Sequence, residues 1–222
     1  MHFSVLYLII MKRLNIITGH FGSGKTEFAL NLAMQNPVKT TIVDMDTVNP
    51  YFRTADAEEV LKNQGIGVIL PRFANTNVDI PALPSEIFSV FANKEQNVIF
   101  DVGGDEDGAL CLGQFNRQFT EEPYDMFFVI NERRPLTKDV QGVIEILREV
   151  EQASRLRVTK LVNATNLGKE TTAEVILEGQ KLVEAVSRET GIPVGFTAVK
   201  KGIEVSVQNP IMQLELFIKA PF

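Results

Sequence analysis

The most restrictive stretch of this sequence runs from Leu14 to Ala33, where a strand, a glycine-rich turn and a helix must follow one another with no spacer. Leu14-Asn15-Ile16-Ile17-Thr18 is mostly apolar and β-branched, Gly19-His20-Phe21-Gly22-Ser23-Gly24 supplies the turn, and Lys25-Thr26-Glu27-Phe28-Ala29-Leu30-Asn31-Leu32-Ala33 takes up helical spacing. The three glycines let the backbone curl until consecutive N–H groups point inward, into a hollow that side chains would crowd. The following helix turns its positive end toward the same hollow. Gly19, His20, Phe21, Gly22, Ser23 and Gly24, with Lys25, Thr26 and Glu27 at the helix start, therefore form a candidate anion cradle. Their spacing fits G-x-x-x-x-G-K-[ST], the phosphate-binding loop, in which Lys25 reaches the β- and γ-phosphates and the Thr26 hydroxyl ligates Mg²⁺. Glycines serving only a tight turn are the plainer alternative, and the complete motif with acids further along argues against it.

Those acids come in two places. The short β-branched run Thr40–Asp44 ends in Asp44-Met45-Asp46, and carboxylates at i and i+2 of an extended end project to one side. A strand's C-terminal end is where ligands sit in open α/β sheets. Asp46 is thus a candidate to orient an attacking water and Asp44 to hold a water of the Mg²⁺ shell. Capping of backbone groups in a strand-to-loop turn is the competing explanation. Further on, Asn97-Val98-Ile99-Phe100-Asp101-Val102-Gly103-Gly104 reads as an apolar strand, an acid and a glycine pair. Asp101 then stands near the Mg²⁺, and Gly103-Gly104 are free to move toward a γ-phosphate.

The rest of the chain alternates in the same way. Helices are expected over 54–63, 81–92 and 137–151, and strands over 67–70, 97–101, 124–131, 158–162 and 193–199. Thr171-x-x-Glu174 has the form of a capping box opening a further helix. Residues 71–79, with Asn75, Asn77 and Asp79, read as a loop, and Asp105-Glu106-Asp107 as a solvated helix N-terminus. Arg133-Arg134-Pro135 is expected as an exposed turn, with contact to a phosphate or a partner subunit as the alternative. Strands separated by helices imply a mostly parallel twisted sheet covered on both faces.

The chain has 222 residues, 45% hydrophobic and 23% charged, which suits a single α/β domain over 14–222. Its net charge of −6 offers no overall positive field for nucleic acid or an anionic membrane. The apolar tail after Gly202 has only Lys219 as a basic residue, so it lacks the basic face of a membrane-seeking helix. The single cysteine, Cys111, excludes an intrachain disulfide and fits a cytoplasmic location. A lone buried thiol is expected there, with bridging to a partner's cysteine or a shared metal as the alternative. Residues 1–13 are too short an apolar run to span a bilayer and carry Lys12-Arg13 on the wrong side for a signal peptide. They are expected to be an extension, with Met11 a second possible start.

These residues resemble the MinD/ParA, or SIMIBI, division of P-loop nucleotidases. The resemblance rests on Gly19–Thr26, Asp44-x-Asp46, Asp101-x-Gly103-Gly104 and Asn163 at a strand end. It implies a slow, Mg²⁺-dependent switch ATPase with a protein client, often working as a nucleotide-dependent homodimer, and it makes Asn163 a base contact. One position departs: the lysine that reaches across such dimers is replaced by His20, followed by Phe21. His20 would supply a weaker charge or simply pack, and in this respect the loop is nearer the metallocentre-maturation GTPases. Guanine-specific members carry Asn-Lys-x-Asp, whereas here Asn163-Ala164-Thr165-Asn166 puts an amide where two acceptor oxygens are needed. ATP is therefore expected over GTP. The alternatives are a metallocentre-maturation GTPase, an ATP-dependent kinase or ligase acting on a small metabolite, and a nucleotide-gated binding module without turnover.

Overall fold

The computed structural model describes residues 11–36, 38–46, 57–70, 85–104 and 106–217, with the side chains of 106 and 107 outside that description. Most of the leading segment, Thr47–Pro50, the 71–79 loop and Asp105 therefore lie outside the described residues. Among the described residues eight strands form one sheet: β1 (Leu14–Thr18), β2 (Thr40–Asp44), β3 (Gly67–Ile69), β4 (Asn97–Asp101), β5 (Tyr124–Ile130), β6 (Lys160–Asn163), β7 (Val194–Lys200) and β8 (Ile211–Leu214). Their spatial order is β3-β2-β4-β1-β5-β6-β7-β8, and every pairing is parallel.

The helices between them are α1 (Lys25–Gln35), α2 (Glu58–Asn63), α3 (Ile87–Ala92), α4 (Glu106–Gly113), α5 (Asn116–Thr120), α6 (Val140–Ser154) and α7 (Ala173–Thr190). Side-chain alternation along the strands divides the core in two. Leu14, Ile16, Val98, Phe100, Met126, Phe128 and Ile130 point to the face covered by α3 to α7. Ile17, Ile99, Phe127, Val129 and Val162 point to the face covered by α1 and α2. Strands buried on both faces explain why their sequences read as near-continuous apolar runs. On the second face Phe28 of α1 wedges between Phe127 and Phe196, each ring 5.7 Å away, which fixes α1 over the sheet centre. Burial of that ring alone stabilises the fold by about 2–3 kcal/mol.

Three expectations need correction. Val194–Lys200 is not the last strand: β8 adds an eighth beside it, in register Thr197↔Ile211. The tail continues along α1, where Asn31 donates to the Glu215 carbonyl at 2.9 Å and accepts from the Glu215 N–H at 2.8 Å. Gln35 donates to the Gln213 carbonyl, and the Glu27 carboxylate accepts from the Phe217 N–H at 3.1 Å. The cap of α7 is Thr172, whose side chain accepts from the Val175 N–H, while Thr171 accepts from the Leu167 N–H and donates to the Gly168 carbonyl. The expected helix over 137–151 begins later, at Val140, because Asp139 caps it and Pro135–Thr137 form a separate 3-10 turn. Among the described residues no helix is long and apolar enough to cross a membrane.

Candidate functional site

The order of strands decides where a ligand can sit. β1 lies between β4 and β5, so the connections leaving its two flanks diverge and open a crevice beyond its C-terminal end. The loop 19–24 lies at that crevice and takes positive φ at Gly19, Gly22 and Gly24. Gly19 has a second reason to be glycine: a Cβ there would stand 2.3 Å from the Val129 carbonyl oxygen of β5. The loop closes on itself through Ser23 N–H to His20 O at 3.2 Å and enters α1 through Phe28 N–H to Gly24 O at 3.0 Å. Lys25, only 7% exposed, curls back to donate to the His20 carbonyl at 3.2 Å. The Ser23 hydroxyl is buried and has no hydrogen-bond partner among the described residues.

The acids arrive from the neighbouring strands. Asp44 and Asp101 are register partners on β2 and β4, and Asp101 is in turn opposite Ile17 at the end of β1. The Met45 N–H donates to the Asp101 carbonyl at 2.8 Å, and the Asp46 N–H to Asp44 Oδ1 at 2.9 Å, which fixes the turn that carries Asp46. Asp44 therefore does cap a backbone group, as its competing explanation held, while standing beside the loop. Gly104 completes the cluster: a Cβ there would lie 2.6 Å from Lys25 Nζ and 2.6 Å from the Phe21 nitrogen. Gly104 thus abuts the loop lysine, with no room for a side chain between them.

His20 is held below the usual imidazole range, first by burial and then by the charges of Lys25 and Arg134. Burial and the two neighbouring charges thus disfavour its cationic form. Among the described residues no three His, Cys, Asp or Glu side chains gather as a metal cluster. The oxygen donors the sequence offers are the Thr26 hydroxyl, on the cavity wall, and the Asp44 and Asp101 carboxylates, on paired strand ends. That set suits Mg²⁺, which keeps several waters and binds through one or two protein oxygens plus phosphates.

A cavity of about 250 Å³ runs from the loop along the sheet's C-terminal edge toward β8. Gly22, Gly24, Lys25, Thr26 and Asp46 line it together with Ala164, Thr165, Asn166, Lys200, Leu214 and Leu216, and Glu27, whose carboxylate accepts from the Phe217 N–H, lines it beside the tail. Asn163 is not on its wall. Fully buried, its Nδ2 donates to the Ile176 carbonyl and Gln180 Oε1, and its Oδ1 accepts from the Thr165 N–H. Asn163 therefore shapes the 164–166 loop, and the direct base contact expected of it is not offered by this geometry. Lys200, Leu214 and Leu216 also line the cavity and were not among the residues singled out for it, and Arg134, for which contact to a phosphate was the alternative to an exposed turn, lines it too. Lys200 could have been sought at the end of a strand; the two leucines carry no such signal.

A single all-parallel eight-stranded sheet with a glycine loop after its central strand defines the P-loop NTPase fold of the SIMIBI class. Solved structures with this fold include the cell division protein FtsY of Thermotoga maritima, at a TM-score of 0.56 and 20% identity, covering 87% of this chain and 68% of that one. The signal recognition particle receptor FtsY of Elizabethkingia anophelis, in complex with GDP, matches at 0.53 and 18%, covering 84% and 56%. The signal recognition particle 54 kDa protein of Aeropyrum pernix K1, also with GDP, matches at 0.52 and 19%, covering 87% and 41%. The chain thus spans about two fifths to two thirds of these proteins' lengths. No protein-family model and no curated protein matches it. Likeness at this identity carries the fold alone.

Proposed function

We propose that this chain is a Mg²⁺-dependent nucleoside triphosphatase, with ATP as its substrate, hydrolysing slowly and acting as a conformational switch of the MinD/ParA type on a protein client in the cytoplasm. The observation that carries the reading is that Lys25, Thr26 and Asp46 share one cavity wall while Gly104 abuts Lys25. The loop N–H groups and Lys25 hold the phosphates and stabilise the charge that spreads over the transferred phosphoryl group. The Mg²⁺, when bound, neutralises phosphate charge. Thr26, with Asp101 and Asp44, holds it, and Asp46 orients the water for in-line attack. Movement of Gly103-Gly104 reports the γ-phosphate, because their backbone already lies against Lys25 and Phe21.

With His20 in place of the lysine that reaches across such dimers, and its cationic form disfavoured, a second copy pairing around nucleotide brings no lysine from this loop position. For the base, adenine is supported because the carboxylate that lines the cavity beside the tail is already engaged, Glu27 accepting from the Phe217 N–H. The Asn166 amide is also engaged, donating to the Ala164 carbonyl and accepting from the Gly168 N–H. Guanine remains the second reading, favoured by the GDP in the FtsY and 54 kDa structures. Displacement of a fluorescent ATP analogue separates them. ATP is expected to displace it at lower concentration than GTP, with phosphate release that needs Mg²⁺. Stronger displacement by GTP overturns the base assignment, and displacement by neither overturns the nucleotidase reading.

A further inference from the structure

We infer that Arg134 is a nucleotide-binding residue that holds the α- and β-phosphates from the flank of the loop, an inference that rests on the nucleotidase reading. β5 is the immediate neighbour of β1, so the turn that follows it emerges beside residues 19–24. That turn is well fixed. The Arg134 N–H donates to the Asn131 carbonyl at 3.1 Å, the Thr137 hydroxyl donates to the same carbonyl at 2.7 Å, and Pro135 holds Arg134 extended at φ −95. An exposed side chain therefore projects from a rigid base.

The two adjacent arginines have different surroundings. Arg133 is neutralised by Glu132 and Glu178. Arg134 has no carboxylate partner among the described residues; its Nε instead donates to the Gly22 carbonyl at 2.8 Å. Its Cζ lies 3.2 Å from where a Cβ on Gly22 would stand, so the guanidinium rests directly on the anion-binding loop. Its charge also reaches His20, lowering that imidazole after burial and Lys25. With Nε used to anchor it, the terminal nitrogens remain to donate into the cavity that Arg134 lines. A planar, permanently charged donor set of this kind suits phosphate oxygens.

Its place along the nucleotide follows from its neighbours. Gly104, against Lys25 and Phe21, marks the γ-phosphate side. Arg134 adjoins the 164–166 loop instead: the Glu132 N–H donates to Thr165 Oγ1 at 3.1 Å and the Asn166 N–H to Asn131 Oδ1 at 3.4 Å. The interaction is therefore made equally with diphosphate and triphosphate and is present in the ground state.

The test is calorimetric titration of the full chain with Mg-ADP and Mg-ATP, together with turnover at saturating ATP. Arg134→Ala is expected to weaken both nucleotides by about tenfold, with turnover within about twofold of the parent. Arg134→Gln keeps a donor for the Gly22 carbonyl and removes the charge, so it is expected to lose as much affinity as Arg134→Ala. Parent-like affinity in Arg134→Gln would make the residue a brace for the loop and overturn the inference. A fall in turnover with unchanged ADP affinity would also overturn it, since that is the mark of a group acting only in the transition state. If the parent binds neither nucleotide, the nucleotidase reading itself has failed, which is a separate result.

Discussion

Replacing Lys25 by alanine tests the site at its centre, and the effect can be worked from its two sets of contacts. In the free protein Lys25 is 7% exposed and its ammonium donates to the His20 carbonyl at 3.2 Å. Removing both the hydrogen bond and the burial of a charge leaves folding stability changed by no more than about 1 kcal/mol. With nucleotide, the same ammonium reaches two phosphates through charge-assisted bonds of roughly 1.5–3 kcal/mol each, so its loss costs about 3–4 kcal/mol, or several hundredfold in affinity. At a nucleotide concentration 100 times the parent's Kd, binding adds about 2.7 kcal/mol of stability. A domain of this size converts that to a rise in Tm of about 5–10 °C. For Lys25→Ala at the same concentration the ratio of ligand to Kd falls to about 0.3, which leaves about 0.2 kcal/mol and a rise under about 1 °C. Differential scanning fluorimetry with and without Mg-ATP reads both numbers. A Lys25→Ala protein with a parent-like apo Tm and a parent-like nucleotide shift would refute the assignment of the loop as the phosphate site.

Other outcomes follow from the same geometry. Asp46→Asn keeps the turn and the side-chain volume, so nucleotide affinity should stay within about threefold while phosphate release falls by 10²-fold or more; normal release would remove Asp46 from the reaction. Gly104→Ala places a methyl group 2.6 Å from the Phe21 nitrogen, and the resulting overpacking should lower stability by about 1–3 kcal/mol and depress phosphate release; an unchanged melt and unchanged release would show that Gly104 does not press on the loop. Away from the site, hydrogen bonding to Arg13, then to Lys94, holds the Glu122 carboxyl down at about 2. A depressed carboxylate adds stability that is complete above its ordinary range and is lost as pH falls toward about 2. With the Glu122 side chain 17% exposed, solvent screening leaves about 1–2 kcal/mol of it. Glu122→Gln should therefore flatten the acid limb of a melting curve between pH 5 and 2, and an identical acid limb would argue against the pairing.

What could be read in the sequence was whatever obeys a short local rule. The loop 19–26 declares itself because the glycine spacing and the lysine act on backbone atoms within a few residues, and the apolar strands declare themselves by burial on both faces. Asp44, Asp46 and Asp101 could be placed because a parallel sheet brings strand ends together on one edge. Asn163 was different: its position at the end of β6 was legible, but its partners Ile176 and Gln180 lie a helix away, so whether its amide faced inward or toward the ligand was decided by tertiary contacts. β8 was illegible for a topological reason. Residues 201–210 contain no helix, so the strand–helix–strand rhythm that identifies the other parallel strands is missing, and a four-residue run has too little pattern of its own. Arg134 was read as an exposed turn. It is exposed, but the loop it touches is 112 residues earlier in the chain.

The strand at 211–214 and the segment after it carry a consequence for synthesis. A nascent chain that has emerged only as far as residue 200 has already delivered the glycine loop, the acids and Arg134, yet β7 then still has an unpaired edge and the cavity lacks Leu214 and Leu216. A nascent chain halted there could grip phosphate without enclosing a base. Secure capture of the whole nucleotide would begin only once residue 217 has cleared the exit tunnel and met Glu27.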